Sequence, residues 1–378
     1  MTNDMNLLTL TVTQFVDFIR EHILVGDQAP IIGLGKVGVG KTESIKNLAK
    51  ELGIGYKELR LAHLSETEVL GIPYIENGRT SWAPNILLPV ASVDGERGIL
   101  VLDEITSCQP SLRAVVLQLL DCQRGIGNYK LPDGWIVVAM GNGPEDGGVF
   151  VGLEHAIVGR GFTFRVEPDF NSWKAWALKN GVHPSVVAFL SFAPQYLHTM
   201  NIDNGTQAHG SPRTWGLLSR KLIELESRAK DKYIDKMTVL ANACGTVGLE
   251  VGSMFAAFYD YNKEIIKVED ILEGKANTNI DITKTEVLYL TCQNVVKALK
   301  DEFKKGVNSQ LEKKVANLFN WVIDISNKSL DLAIMTMRDL IQAIDNIDEI
   351  ILDPNFDNLC PRFAEFANTH SIIFERGK

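Results

Sequence analysis

The sequence predicts an α/β protein in which a parallel β-sheet lies between helices and is followed by a helical region. In the first 170 residues, short apolar runs alternate with helical stretches, which is the pattern of a parallel sheet covered by helices. Beyond about Phe170, helical periodicity replaces this pattern. The predicted strands are rich in aliphatic or aromatic residues, as strands buried on both faces should be. They are Pro30–Leu34, Lys57–Leu61, Ile99–Leu102, Trp135–Met140 and Phe162–Val166.

Two segments between these strands have the pattern of inserted hairpins. Tyr74–Trp82 is centred on Asn77-Gly78, the strongest two-residue turn signal. Gly125–Trp135 contains Gly-Asn and Pro-Asp-Gly, which also favour turns. Trp82, at the base of the first hairpin, could either face a client protein or pack on its own sheet. In the helical region, residues 311–325 repeat apolar side chains at helical spacing, so we expect an amphipathic helix there.

Composition excludes several classes of protein. The 378 residues are 45% hydrophobic and 22% charged, which is ordinary globular usage and excludes a disordered or collagen-like chain. No apolar stretch approaches the ~18 residues of a membrane span, and residues 1–6 do not resemble a signal peptide. The net charge of −9 gives no electrostatic attraction to nucleic acid. The five cysteines and seven histidines lack metal-ligand spacing, so we expect free thiols in a reducing cytoplasm and no protein-bound transition metal.

A phosphate-binding loop follows the first predicted strand. The motif G-x-x-x-x-G-K-[ST] is satisfied at every fixed position, with a strand before it and a helical stretch, Thr42–Leu52, after it. Glycines let backbone N–H groups approach phosphate oxygens, and the helix N-terminus adds its positive dipole end. Lys41 would contact the β- and γ-phosphates, and the Thr42 hydroxyl would bind Mg²⁺. We therefore predict binding of a nucleoside triphosphate by Gly35, Lys36, Val37, Gly38, Val39, Gly40, Lys41 and Thr42.

An acidic pair ends another predicted strand. Gly98–Leu102 is apolar and is followed directly by Asp103 and Glu104. Because the carboxyl ends of parallel strands face the ligand crevice, both carboxylates are expected beside the phosphates. Asp103 would hold the Mg²⁺ shell, and Glu104 would orient and deprotonate the attacking water. The alternative is an acidic pair that only caps the strand end. A second carboxylate favours hydrolysis by water over transfer of the phosphoryl group to a bound acceptor.

The order of these motifs resembles the AAA+ ATPases, and specifically their MoxR-like branch. The resemblance covers about residues 25–260 and is more specific than any one motif. The first hairpin occupies the position of the helix-2 insert of that family, and the second that of its pre-sensor-1 insert. After the P-loop, the motifs are GIPYIENGRTSWAPNILLPV, GILVLDE, PSLRAVVLQLLD, RGIGNYKLPDGW, IVVAMGNGPED, EHAIVGRGFTFRVE and SPRTW.

The resemblance implies roles for three further residues. Asn142 matches sensor 1, whose amide would hydrogen-bond the γ-phosphate or the attacking water. Arg160, after the helix that holds Glu154 and His155, matches the arginine finger that acts on the neighbouring subunit's nucleotide. The sequence reads Gly-Arg-Gly here where the family commonly has Asp-Arg-Phe, and Arg165 is the competing candidate. Arg213, in Ser211-Pro212-Arg213 at an expected helix start, matches the sensor-2 arginine of the helical lid.

The resemblance also implies an architecture and a cellular role. The expected domains are an ATPase core at 1–168, a helical lid at 169–262 and a helical C-terminal extension at 263–378. The expected function is Mg²⁺-dependent ATP hydrolysis by a cytoplasmic homo-oligomeric ring, a hexamer, that remodels a client protein. A separate protein with a von Willebrand A domain is the implied partner. Two alternatives stay open, namely a nucleic-acid-stimulated motor or restriction-type NTPase, and a monomeric P-loop kinase for a small metabolite.

Overall fold

The chain forms two compact units. The computed structural model describes residues 7–83, 85–143, 159–200, 208–229, 234–276 and 284–370. One unit comprises the described residues up to Asp169, and the other comprises Phe170–Thr199 and the described residues from 208 onward. The first unit contains a sheet with a hydrophobic core on each face, and the second contains helices around one core.

The first unit is built on a six-stranded parallel sheet and contains two short hairpins. Its strands β1 to β10 are Thr9–Thr11, Ile31–Leu34, Gly55–Arg60, Ile72–Glu76, Arg79–Ala83, Arg97–Asp103, Gly125–Ile126, Tyr129–Lys130, Gly134–Gly141 and Phe162–Glu167. The helices α1 to α5 are Val12–Val25, Lys41–Leu52, Glu66–Leu70, Ala91–Asp94 and Pro110–Val116. Two short 3-10 helices, Leu61–His63 and Leu117–Leu119, follow β3 and α5. The order of the strands in the parallel sheet is β1-β10-β2-β9-β6-β3.

Both faces of the sheet are buried, because successive side chains of a strand point to opposite faces. One face packs Ile31 and Val138 against Phe15 and Ile45 of α1 and α2. The other face packs alternate residues of the same strands against α5, including Ile32, Leu34, Val137, Ala139, Leu112 and Val116. This arrangement confirms the predicted α/β fold. The strand β1 was missed because Thr-Leu-Thr is too short and polar to stand out, although it pairs with β10 from Thr9 to Thr11.

The two inserted hairpins are present and contact each other. In the first, β4 and β5 pair antiparallel around Asn77 and Gly78, whose positive φ angles of 51° and 74° suit a tight hairpin turn. The second is shorter than expected, because β7 and β8 are two residues each and Trp135 already belongs to β9. The Asn128 amide donates a hydrogen bond to the Ser81 hydroxyl. Trp82, which is partly exposed, lies beside Gly127, where an added Cβ would come within 3.4 Å of its ring.

The second unit is helical. Its helices share one hydrophobic core that extends from Trp173 to Phe366. The helix Ser309–Ser326 contains the predicted amphipathic repeat, and Leu311, Val315 and Leu318 are buried. The predicted lid at 169–262 and extension at 263–378 therefore contribute to the same core, and their separation into functional domains stays a prediction.

The helices α6 to α17 are Phe170–Lys179, Pro184–Phe192, Pro212–Arg228, Lys236–Val247, Leu249–Asp260, Val268–Leu272, Thr285–Phe303, Ser309–Ser326, Leu330–Ala343, Ile347–Ile351, Phe356–Leu359 and Arg362–Thr369. Two short 3-10 helices, Pro194–Leu197 and Tyr261–Lys263, lie between them. No helix in the described parts of the chain combines the length and the apolarity that crossing a membrane requires.

Candidate functional site

The P-loop leaves the sheet at the carboxyl end of β2 and enters α2. Gly35 begins the loop, and its N–H donates to the Gly141 carbonyl at 3.1 Å, which fixes the loop beside β9. An added Cβ on Gly35 would lie 1.9 Å from the Val166 carbonyl oxygen, so only glycine fits there. Gly40 immediately precedes α2 with a φ of +98°, a left-handed conformation that other residues rarely adopt. The loop thus ends at a helix N-terminus, which is a ready anion-binding position.

Lys41 folds back over this loop. Its Nζ donates hydrogen bonds to the carbonyl oxygens of Gly35 and of Lys36, the latter at 2.9 Å. The ammonium group is therefore held over the loop at the start of α2, where phosphate oxygens would compete for its hydrogens. The role of Lys41 at the β- and γ-phosphates stays a prediction.

The structure joins the P-loop to the acidic pair directly. The Thr42 hydroxyl donates to Oδ2 of Asp103 at 2.9 Å, and Oδ1 of Asp103 accepts the Glu104 N–H at 2.9 Å. Hydroxyl and carboxylate oxygens are the ligands that Mg²⁺ takes, and Mg²⁺ usually keeps several waters and binds substrate phosphates. Within the described segments, no group of three or more His, Cys, Asp or Glu residues could hold a metal ion. Two protein oxygens beside a P-loop fit Mg²⁺ carried with a nucleotide.

Glu104 turns the chain sharply out of β6. Its φ is +59°, in the left-handed region, which costs roughly 1–3 kcal/mol for a residue other than glycine. Its carbonyl accepts the Ser107 N–H at 2.9 Å, which closes a turn directly after the strand. The Glu104 side chain is half-buried at the carboxyl end of the sheet. The sequence predicted its place but not the strained backbone.

Asn142 follows β9, the strand that lies between β2 and β6. The carboxyl ends of these three neighbouring strands carry the P-loop, Asn142 and the acidic pair. The Asn142 N–H donates to the hydroxyl of Thr106 at 3.0 Å. The structure therefore brings the predicted sensor-1 position to the same edge as Lys41 and Glu104. Thr106 was missed by sequence reasoning, and its only signal was its place two residues after Glu104.

The end of β3 adds charged groups that sequence reasoning also missed. Glu58 accepts hydrogen bonds from the Tyr56 hydroxyl at 2.9 Å and from Arg60 Nε at 2.5 Å, and Arg60 pairs in register with Asp103. Burial raises the pKa of Tyr56, and its hydrogen bond to Glu58 acts in the same direction. The hydrogen bond to Glu58 raises the pKa of Arg60, and the charges of Asp103 and Glu104 add to this effect. Arg60 thus adds a permanent cation near the acidic pair.

Arg160 lies near the amino ends of the strands, at the end of the sheet opposite the P-loop. It precedes β10, whose first residue Phe162 is in register with Ile31, the first residue of β2. Four residues at about 3.3 Å each separate that end of β2 from Gly35, roughly 13 Å. Arg160 Nε forms an ion pair with Asp121 at 2.6 Å, and its side chain is 31% exposed. Glu154 and His155, which precede it, lie outside the described residues.

The competing arginine occupies a different place. Arg165 is in register with Leu34, the residue before the P-loop, and its Nε contacts Glu167 at 2.8 Å. Arg165 is therefore at the carboxyl end of β10, beside the P-loop strand of its own chain. Arg160 therefore lies near the amino ends of the strands, and Arg165 lies near their carboxyl ends.

Arg213 belongs to the second unit. The Ser211 hydroxyl accepts the Thr214 N–H at 3.2 Å, and Pro212 is the first residue of α8, which confirms the predicted helix start. Arg213 is exposed at this start. Its role at the phosphates stays a prediction.

The first unit has the AAA+ P-loop fold. Residues 30–142 match the family model of the AAA domain, dynein-related subfamily. The match begins just before β2 and ends at Asn142, so it includes the P-loop and the acidic pair.

Several solved structures resemble the chain at low identity. One RuvB mutant from Thermotoga maritima is 13% identical, with a TM-score of 0.38 over 76% of this chain and 87% of that chain. A second RuvB mutant from the same organism is 12% identical, with a TM-score of 0.35 over 72% and 76%. Hsp104 with ATPγS and FITC casein is 16% identical, with a TM-score of 0.35 over 69% of this chain and 45% of that chain. Among curated proteins, no significant match was found.

Proposed function

We propose that this protein is a Mg²⁺-dependent ATPase. The observation that carries the proposal is the 2.9 Å hydrogen bond from Thr42 to Asp103, which joins the P-loop to the acidic strand end. Glu104 and Asn142 follow adjacent strands at the same edge. The carboxyl ends of these strands would therefore bind a nucleotide phosphate, its metal ion and an attacking water.

Each residue has a distinct task in this proposal. Lys41 would bind the β- and γ-phosphates, while Thr42 and Asp103 would hold Mg²⁺, directly or through water. The metal ion, when bound, offsets negative charge on the phosphate oxygens. Glu104 would accept a proton from the attacking water, and Asn142 would orient that water or the γ-phosphate through its amide.

Glu104→Gln separates nucleotide binding from hydrolysis. We expect the variant to bind Mg²⁺-ATP normally and to release phosphate at least about 10²-fold more slowly, the usual scale for a positioned base. Glu96→Gln is the matched control, because Glu96 is exposed just before the opposite end of β6. Unchanged turnover of Glu104→Gln in a phosphate-release assay would show that Glu104 only caps the strand.

We further propose that the protein works as a ring in which Arg160 acts on the neighbouring subunit. In support, Arg160 lies before the amino end of β10, and the neighbouring end of β2 at Ile31 is roughly 13 Å from Gly35 along the strand. An arginine supplied across an interface can raise hydrolysis 10³–10⁵-fold. The Asp121 ion pair would then hold the Arg160 side chain at the subunit surface.

Mixing two inactive variants tests the ring. Arg160→Ala and Lys41→Ala should each hydrolyse poorly alone. Together they form some interfaces with an intact P-loop on one side and Arg160 on the other, so part of the activity should return. Arg165→Ala mixed with Lys41→Ala is the matched comparison, and recovery only in that mixture would move the finger to Arg165. No recovery in either mixture, with a monomer by light scattering in ATP, would remove the ring.

The motif order supports a MoxR-like role as the finer proposal. In this proposal the cytoplasmic ring, a hexamer, remodels a client protein together with a separate protein that carries a von Willebrand A domain. The Glu104→Gln variant, which should hold ATP, is the suitable bait. Co-purification of a von Willebrand A protein in ATP but not with Lys41→Ala would support the partner, and strong stimulation of turnover by DNA would instead favour the motor alternative.

A further inference from the structure

Thr106 occupies a position between two of the proposed functional residues. It lies two residues after Glu104, and its side chain is buried, with only 2% of the residue exposed. Its hydroxyl oxygen accepts the backbone N–H of Asn142 at 3.0 Å. A single side chain thus connects the loop after the acidic pair to the start of the sensor-1 segment.

The Thr106 hydroxyl extends the hydrogen bonding between β6 and β9 beyond the end of their backbone pairing. The parallel pairing of β6 with β9 ends at Leu102 and Ala139, and Ile105 N–H then donates to the Met140 carbonyl at 3.0 Å. Because Glu104 turns the chain with a φ of +59°, the segment after it departs from strand geometry. The Thr106 hydroxyl supplies the next contact, so Asn142 keeps a fixed backbone position although the sheet has ended.

The Thr106 side chain also packs against Gly141, the residue whose carbonyl binds the start of the P-loop. An added Cβ on Gly141 would lie 2.7 Å from Thr106 Cγ2 and 2.9 Å from its Oγ1, so the two residues are in close contact. The Gly141 carbonyl accepts the Gly35 N–H at 3.1 Å. Thr106 therefore packs where the ends of β6, β9 and β2 meet.

We propose that Thr106 is a positioning residue for ATP hydrolysis, which fixes Asn142 relative to Glu104. The inference rests on the proposed ATPase function. Thr106 does not touch the nucleotide in this scheme and acts through the backbone of Asn142. Removing its hydroxyl leaves the Asn142 N–H without its acceptor and lets the amide move away from the attacking water. Small displacements of this kind reduce rates strongly, by up to about 10²-fold for 1 Å.

Thr106→Val removes the hydroxyl and keeps the side-chain shape. We expect kcat to fall about tenfold while the Kd for Mg²⁺-ATP stays within about twofold, because the P-loop contacts remain. Thr106→Ser keeps the hydroxyl and should restore most of the rate. Thr336→Val is the matched control, since Thr336 is fully buried in α14 of the other unit and its hydroxyl donates to the Leu332 carbonyl. Its turnover should be that of the wild type.

A double-mutant cycle tests whether Thr106 acts through Asn142. Asn142→Ala alone should slow single-turnover hydrolysis, and adding Thr106→Val should then slow it no further, because the group being positioned is already absent. Multiplicative losses in the double variant would overturn the inference. Equal losses in Thr106→Val and Thr106→Ser would do the same, as would loss of ATP binding in Thr106→Val, because the residue would then support the whole site.

Failure of the Thr106 proposal can be distinguished from failure of the ATPase proposal. If Glu104→Gln turns over like the wild type, the proposed function fails whatever Thr106 does. If Glu104→Gln is inactive and Thr106→Val hydrolyses at the normal rate, only the role of Thr106 fails.

Discussion

The sheet unit and the helical unit depend on different kinds of interaction. In the sheet unit, the candidate site is assembled at positions that directly follow strands, such as Gly35, Glu104 and Asn142. In the helical unit, a charged contact joins residues far apart in sequence: Lys174 Nζ lies 2.7 Å from Asp339 Oδ2, and their side chains are 7% and 3% exposed. The candidate site of the first unit is built from short motifs, whereas the buried pair of the second unit depends on packing between helices that are distant in sequence.

The buried pair in the helical unit is part of a small polar network. Asp339 also accepts a hydrogen bond from the Gln293 amide at 2.5 Å, so the network links α6, α12 and α14. Burial raises the pKa of Asp339, and the charge of Lys174 opposes that rise. The contact joins the predicted lid to the predicted extension, which also share one hydrophobic core.

Removing one partner of this pair should give the largest stability change. Asp339→Ala leaves the Lys174 ammonium buried without its counter-charge, and we expect a loss of about 3–5 kcal/mol in the free energy of unfolding. Asp301→Ala, which breaks an exposed pair with Lys304, should cost about 0–1 kcal/mol. Urea unfolding of both variants measures the difference. Equal, small losses would show that the buried pair does not hold the helices together.

A smaller effect, and one on activity alone, is expected at the start of α8. Arg213→Ala should lower ATP turnover about tenfold, equivalent to ~1.4 kcal/mol, if its charge reaches the phosphates. Its stability should change by no more than about 0.5 kcal/mol, because the side chain is exposed. Arg220, exposed seven residues further along the same helix, provides the control substitution Arg220→Ala. Identical turnover in the two variants would leave Arg213 as a surface residue of a capped helix.

Much of the sheet unit was predictable because its signals are local. A strand buried on both faces is a short apolar run, and the P-loop and acidic pair follow such runs directly. For the same reason the hairpin turn at Asn77-Gly78 could be identified from two residues. The exception is β1, whose three residues owe their strand conformation to pairing with β10 and not to their own composition.

The contacts that were missed depend on residues that the fold brings together. Thr106 reaches Asn142 across 36 positions, and Lys174 reaches Asp339 from another helix of the same core. The Glu58 contacts to Tyr56 and Arg60 are close in sequence. Their position beside the acidic pair, however, depends on the register of β3 with β6, which pairs Arg60 with Asp103. Periodicity identifies which face of an element is buried, and it does not identify the partner on the other side.

The most direct test of the account is a calorimetric titration of Mg²⁺-ATP into Lys41→Ala. Lys41 lies over the P-loop through its bonds to Gly35 and Lys36, and charge-assisted hydrogen bonds are worth about 1.5–3 kcal/mol each. Loss of two such bonds to phosphate should weaken binding at least about 100-fold. Lys46→Ala, an exposed lysine further along α2, should bind ATP like the wild type. Near-normal affinity of Lys41→Ala would contradict the assignment of this edge of the sheet as a nucleotide site.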